Sequence, residues 1–296
     1  VGTNVLGAVG EGGSTWSNGP SLRNVGMEAS VGYRHITKYG LRYDVTANID
    51  FFRNKVTYLP STTTGSYAHT VKENLVQSKK PYGSIVGYVV DGLFQNSEEV
   101  KASGQPNARV GGLKYADLDH SGTIDAKDQT WIFDPVPDFN WGLNVQLGYK
   151  NFDFTAFFQG VQGVDIISDL KKETDIWAGL NIGNLNKGRR LLSAWSVDNP
   201  TSDIPALTLS DNNNEKRVST YWVENGSYLK LRTIQLGYNF PQSIASKLSM
   251  QRLRMYVSAQ NLFTIKSSSF TGLDPENPNY GYPIPLNLTF GLNVTF

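Results

Sequence analysis

The densest set of ligand-type side chains in the sequence is Asp117-x-Asp119-x-Ser121-Gly122-Thr123-x-Asp125-x-x-Asp128. These residues occupy positions 1, 3, 5, 7, 9 and 12 of an EF-hand loop, with glycine at position 6, where that loop turns sharply. A hard cation takes oxygen ligands, so calcium is the ion that Asp117, Asp119, Ser121, Thr123, Asp125 and Asp128 would hold. Two features depart from the pattern. Position 12 is Asp128, whose arm is shorter than the usual glutamate, and the flanks read as loop and strand instead of two helices. The competing reading is an Asx-turned loop that needs no ion.

Other chemistry finds little support. The only histidines are His35, His69 and His120, spread over separate segments, and no Ser/His/Asp set is suggested. There is no cysteine, which excludes a disulfide scaffold, a thiolate metal site and a cysteine nucleophile. Glu98-Glu99 reads as a solvated face, and Lys187, Arg189 and Arg190 as a small basic surface cluster. The chain is read as no enzyme. Trp131, Trp177, Trp195, Tyr221 and Trp222 fall in long connecting segments, where aromatics stack on sugar rings or anchor a partner. The plainer alternative is that they pack folded loops together. Lys plus Arg (27) nearly cancels Asp plus Glu (26), which removes the electrostatic case for nucleic-acid binding.

The elements that position these residues are strands. Seven segments alternate apolar and polar residues with period 2. Val25, Met27, Ala29, Val31 and Tyr33 oppose Asn24, Glu28, Ser30 and Arg34. Further such segments cover 41–51, 141–149, 152–158, 229–240 and 253–259, and 286–296 alternates to the last residue, Phe296. In 229–240 the parity slips, because Leu229 and Leu231 face one way while Ile234, Leu236, Tyr238 and Phe240 take the other register. A β-bulge near Thr233 reconciles them. No run of about 18 apolar residues and no signal peptide are present.

A soluble sandwich would give the same alternation, so connection lengths decide. In order they are short (34–40), long (52–138), tight (150–151), long (160–227), modest (241–251) and longer (264–285). Short and long connections alternate as periplasmic turns and outer loops do in a transmembrane barrel. Aromatic residues at the strand ends, such as Tyr33, Phe51, Tyr149, Phe152, Tyr238 and Phe240, fit interfacial girdles. Seven is odd, whereas bacterial single-chain barrels close with even numbers, so further strands are expected outside the chain. The expected division is an outer loop at 1–23 and barrel wall at 24–296, with extracellular loops at about 53–137, 161–227 and 264–284.

Several stretches carry a family resemblance. They are Gly87-Tyr88-Val89-Val90-Asp91-Gly92-Leu93-Phe94, then Gly112-Leu113-Lys114-Tyr115-Ala116-Asp117-Leu118-Asp119, then Pro137-Asp138-Phe139-Asn140-Trp141-Gly142. Asn151-Phe152-Asp153-Phe154, Asn261-Leu262-Phe263 and Gly272-Leu273-Asp274-Pro275 add to them. Together they resemble the C-terminal half of SusC/RagA-type TonB-dependent outer-membrane transporters of Bacteroidetes-like bacteria. The resemblance implies a 22-stranded barrel, a plug domain and TonB-contacting segment with no counterpart here, and a SusD-like surface lipoprotein as lid. It further implies import of glycans or oligopeptides, contact with membrane lipid and a dimer of transporter–lipoprotein pairs.

The combined expectation is an all-β chain: the C-terminal strands of a transmembrane antiparallel β-barrel with long extracellular loops. Its C-terminus is expected in the periplasm, with Phe296 as the C-terminal assembly signal. The rival expectation is a secreted, calcium-stabilised β-sandwich that binds carbohydrate, in which the apolar strand faces would be buried against each other.

Overall fold

The computed structural model describes residues 2–5, 13–16, 19–59, 75–175, 188–208, 214–279 and 281–296. Seven strands form one antiparallel sheet: β1 (Ser21–Ile36), β2 (Arg42–Tyr58), β3 (Phe139–Tyr149), β4 (Phe152–Gln162), β5 (Tyr228–Asn239), β6 (Arg252–Lys266) and β7 (Asn287–Thr295). Each pairs with its neighbours in chain order, so the sheet is a meander with no crossover. Strands of 9 to 17 residues suit a tilted crossing of a bilayer.

The register keeps the two faces distinct. Met27 pairs with Phe51, Val45 with Val145, Leu147 with Phe154, Leu236 with Val257 and Val257 with Phe290. On the other face, Asp44 pairs with Gln146, Gln235 with Ser258 and Ser258 with Thr289. A one-residue slip would move every apolar side chain to the polar side, so the alternation itself locks the pairing. The bulge expected near Thr233 is present. Arg232 is skipped between Leu231 and Thr233, against consecutive residues Phe157 and Phe158 on β4. On the β6 side, Asn261 and Leu262 are passed over, and Asn261 takes φ 55°.

Among the described residues, no second sheet covers the apolar face; the other ladders are two-stranded ribbons. Val31 stays 70% exposed, Leu288 71%, Phe290 67% and Leu292 57%. This removes the sandwich, which requires those side chains to be buried. Aromatic rings line the apolar face near the short turns: Tyr33 lies 5.8 Å from Tyr43, Phe152 4.8 Å from Tyr238, and Tyr238 5.1 Å from Phe240. Toward the long connections, Phe51 meets Phe139 at 5.9 Å.

The hydrophobic core lies in the long connections, away from the sheet. Leu93, Leu113, Tyr115 and Ile124 of the first connection pack with Tyr221 and Trp222 of the second, joined by Tyr88, Val90 and Trp195. Backbone amides tie the two: Tyr88 N–H donates to the Val218 carbonyl at 3.0 Å, and Val90 N–H to the Thr220 hydroxyl at 2.9 Å.

Several strands run further into the long connections than the apolar alternation foretells. β2 continues to Tyr58, past the expected loop start at 53, and β6 continues to Lys266. In β2 the reason is chemical: Arg53 and Lys55 replace apolar residues on the outward parity, so the pattern fades before the hydrogen-bonded ladder does. Within 1–23, Gly2–Val5 pairs with Gly13–Trp16 and β1 already begins at Ser21.

Candidate functional site

The carboxylate loop follows a short strand, Leu113–Tyr115, and leads into a 3-10 turn at Ala126–Asp128. One carboxylate oxygen from each of Asp117, Asp119 and Asp128 lies within 4.8 Å of the others. The loop is shaped by its own side chains. Asp117 accepts from Gly122 N–H at 2.7 Å and from Ser121 N–H at 3.1 Å, and Gly122 takes φ 80°, which a side chain would resist. Asp128 is fully buried and accepts from the N–H groups of Leu118 and Asp125, each at 2.8 Å. Asp125 is turned away from the cluster to cap the 3-10 turn, accepting from Lys127 N–H at 2.7 Å. Ser121 donates to the Thr123 carbonyl at 3.1 Å. Three of the six expected ligands therefore converge, and a fourth, Asp125, serves as a cap.

The aromatic residues divide. Tyr221 and Trp222 are 8% and 5% exposed and pack edge to face at 4.9 Å, which makes them cement between loops instead of a stacking surface for sugar. Trp195 is half-buried against the same core and donates to the Gln95 side chain at 2.9 Å. Trp131 is half-buried in the ribbon pairing Ile85–Tyr88 with Gln129–Phe133. Trp177, Lys187 and His69 lie outside the described residues. Phe296 is 79% exposed beyond the end of β7.

Arg190, expected as surface charge, bonds the buried Asp175, which also accepts from the Tyr221 hydroxyl at 2.7 Å. Burial pushes the Tyr221 phenol far above its ordinary value, so it stays a neutral donor. The pair Glu98-Glu99 begins a helix, Ser97–Ala102: Asn96 accepts from Glu99 N–H at 2.9 Å, and the Glu99 carboxylate accepts from Gln95 N–H at 3.0 Å.

The polar face of the sheet carries charges that the motif reading passed over. Arg34 bonds Asp44 at 2.7 Å, Asn140 bonds Asp50 at 2.9 Å, and Arg254 pairs with Asp153. A side chain at Gly237 would strike both members of that last pair. Toward the long connections, Lys230 of β5 has no exposed surface and donates to Asp274 at 2.7 Å and Glu276 at 2.6 Å. Arg232 and the Tyr228 hydroxyl also bind Glu276, the latter at 2.8 Å. Against the upward push of burial, bonds from Arg232, Lys230 and Tyr228 hold Glu276 down to about 2. The loop between β6 and β7 is thus latched over the polar face. Thr271 further ties it to Glu224 of the second long connection through a hydroxyl bond of 2.8 Å. The available sequence signal was the polar parity of Lys230 together with the Gly272-Leu273-Asp274-Pro275 stretch.

No protein-family model matches the chain. It is 33% identical over 300 residues to TonB-dependent receptor P3 of Formosa agariphila, covering 93% of this chain and 29% of that receptor. The chain is homologous to the TonB-dependent receptors. It is also 27% identical over 287 residues to TonB-dependent receptor SusC of Bacteroides thetaiotaomicron, covering 93% of this chain and 26% of SusC. The chain thus spans less than a third of the length of these receptors. Among solved structures it resembles the RagAB peptide transporter with a TM-score of 0.74 and 22% identity, over 99% of this chain and 31% of that one. The RagAB peptide importer in its open-open state gives 0.74 at 21% identity. The all-β fold is that of TonB-dependent transporter structures, although among the described residues the sheet does not close on itself. TonB-dependent receptors are outer-membrane proteins.

Proposed function

We propose that this chain forms wall and outer loops of a TonB-dependent outer-membrane transporter that imports bulky nutrients, either glycans or oligopeptides. The observation that carries this reading is the exposed apolar face shared by all seven strands, backed by a polar face on which Arg34 pairs with Asp44 and Arg254 with Asp153. Lipid solvates such a face at no cost, whereas in water it would be an aggregation surface. The strands belong to a closed barrel, for which the 22 strands of the family are the expected number. The loops at about 53–137, 161–227 and 264–284 face the cell exterior, and Phe296 ends in the periplasm as an assembly signal. In this orientation the loop core and the Lys230 latch stand at the outer mouth, above the polar interior. The loops there dock a SusD-like lipoprotein lid and meet substrate, with Trp131, Trp177 and Trp195 as contact residues. TonB engages a segment outside this chain, and the assembly is a dimer of transporter–lipoprotein pairs.

Fractionation of the full-length protein tests the membrane assignment: it should sediment with outer membranes and migrate faster in gels before heating. Recovery from the soluble fraction would refute it. Mass spectrometry of ligand and partner retained by the detergent-purified complex decides between glycan and peptide.

A calcium ion is proposed as a loop stiffener at Asp117, Asp119 and Asp128. The convergence of their oxygens supports it, and Asp125 contributes only if its cap opens. Isothermal titration should show binding that Asp117→Asn abolishes. Heat-neutral titration of a folded protein would leave the Asx-turn reading.

A further inference from the structure

Cations crown the apolar face at the long-connection end of β1 and β2. Val25 pairs with Arg53 and Arg23 with Lys55, so these four share the face that carries Met27 and Phe51 one step lower. Lys79 and Lys80 are held beside them. The Lys80 carbonyl accepts from Val56 N–H at 3.4 Å, and Tyr82 N–H donates to the Asn54 side chain at 2.8 Å. Together Arg23, Arg53, Lys55, Lys79 and Lys80 line an open recess of about 470 Å3, and Asp134 also lines it.

Few of these charges are compensated. Arg53 reaches the Asp138 carboxylate at 3.6 Å. Among the described residues, Arg23, Lys55, Lys79 and Lys80 have no carboxylate within 4 Å. Clustered cations repel one another, and the recess is a place where an anion would relieve that repulsion. Its position selects the anion. At about 3.3 Å per residue and a tilt near 40°, Arg53 and Lys55 stand roughly 5–10 Å beyond Phe51, which is headgroup depth above an apolar band. The recess opens on the lipid side of the strands, away from the polar face where a transported solute would travel.

We propose that this recess binds the phosphate groups of an outer-leaflet lipid. The inference rests on the reading of the apolar face as lipid-facing. Lysine and arginine supply charge-assisted donors to phosphate, while Val25, Met27 and Phe51 beneath them meet the acyl chains.

The test uses the full-length receptor in mild detergent, titrated with a bisphosphorylated, acylated disaccharide lipid, its dephosphorylated counterpart and inorganic phosphate. The phosphorylated lipid should bind far more tightly than either control. Replacing Arg23, Lys55, Lys79 and Lys80 with Gln should weaken it more than a hundredfold, and Lys55→Gln alone about fivefold, as about 1 kcal/mol per cation requires. Equal affinity of parent and variant, or of phosphorylated and dephosphorylated lipid, overturns the assignment. So does inorganic phosphate binding as tightly as the lipid, which would mark a free-anion site. Membrane fractionation of the same proteins separates the two readings. A membrane-borne receptor without the preference sinks only the recess, and a soluble one sinks both.

Discussion

Lys230 sits on the polar side of a membrane-type strand without any exposed surface, and two carboxylates from one loop close over its ammonium. Removing one member of a buried ion group strands the others, at a cost of about 3–5 kcal/mol. Lys230→Met should therefore undock residues 267–286, seen as faster backbone hydrogen exchange there with little change in β1–β4. The same cluster sets a pH dependence. Glu276 is held at about 2 in the folded protein, below its ordinary 4.5. A depressed carboxyl contributes stability above its unfolded value and loses it as pH falls through the folded one, so the latch weakens between about 4.5 and 2. Thermal unfolding in detergent at pH 6 and pH 3 should show a smaller pH difference for Glu276→Gln than for the parent.

Strands carry the next level of organisation, and here the two faces make opposite demands. Phe290 projects from the apolar face of β7, while the adjacent Thr289 lies on the polar face opposite Ser258. Lysine at Phe290 should cost about 2–4 kcal/mol, as charges near the bilayer centre do, and lysine at Thr289 much less. Urea unfolding in phospholipid vesicles measures both, and the reverse order would invert the faces. The bulge at Arg232 serves the same division. By skipping one residue of β5, it keeps Leu229 and Leu231 beside Ile265 and Phe263 while turning Lys230 to the polar side. A straight β5 would have pushed Lys230 into the apolar face.

At the scale of the molecule, two regions draw stability from different sources. The loops own a water-excluding core of Leu93, Leu113, Tyr115, Ile124, Tyr221 and Trp222, whereas the sheet leaves its apolar face for an external solvent. Trp222→Ala should cost the loop region about 3–5 kcal/mol. In detergent it should lower an early unfolding transition, read by near-ultraviolet dichroism, and leave the later loss of β-structure unmoved. A single shifted transition would show instead that loops and strands unfold as one unit.

Strand identity, the two faces of each strand and the site of the bulge were legible in the sequence because period-2 alternation is local and each strand reports its own faces. The parity slip between Leu231 and Ile234 even located the irregularity. The order of short and long connections was equally plain. Other features depended on groups far apart in the chain. Lys230 with Glu276 and Tyr221 with Leu113 meet only when separate segments fold together. Period-2 patterning says which way a side chain points but not which distant segment covers it. For that reason Tyr221 and Trp222, which read as possible contact residues, proved to be core. In the same way Asp125, spaced as a metal ligand, was taken by a helix cap that the ligand pattern does not encode.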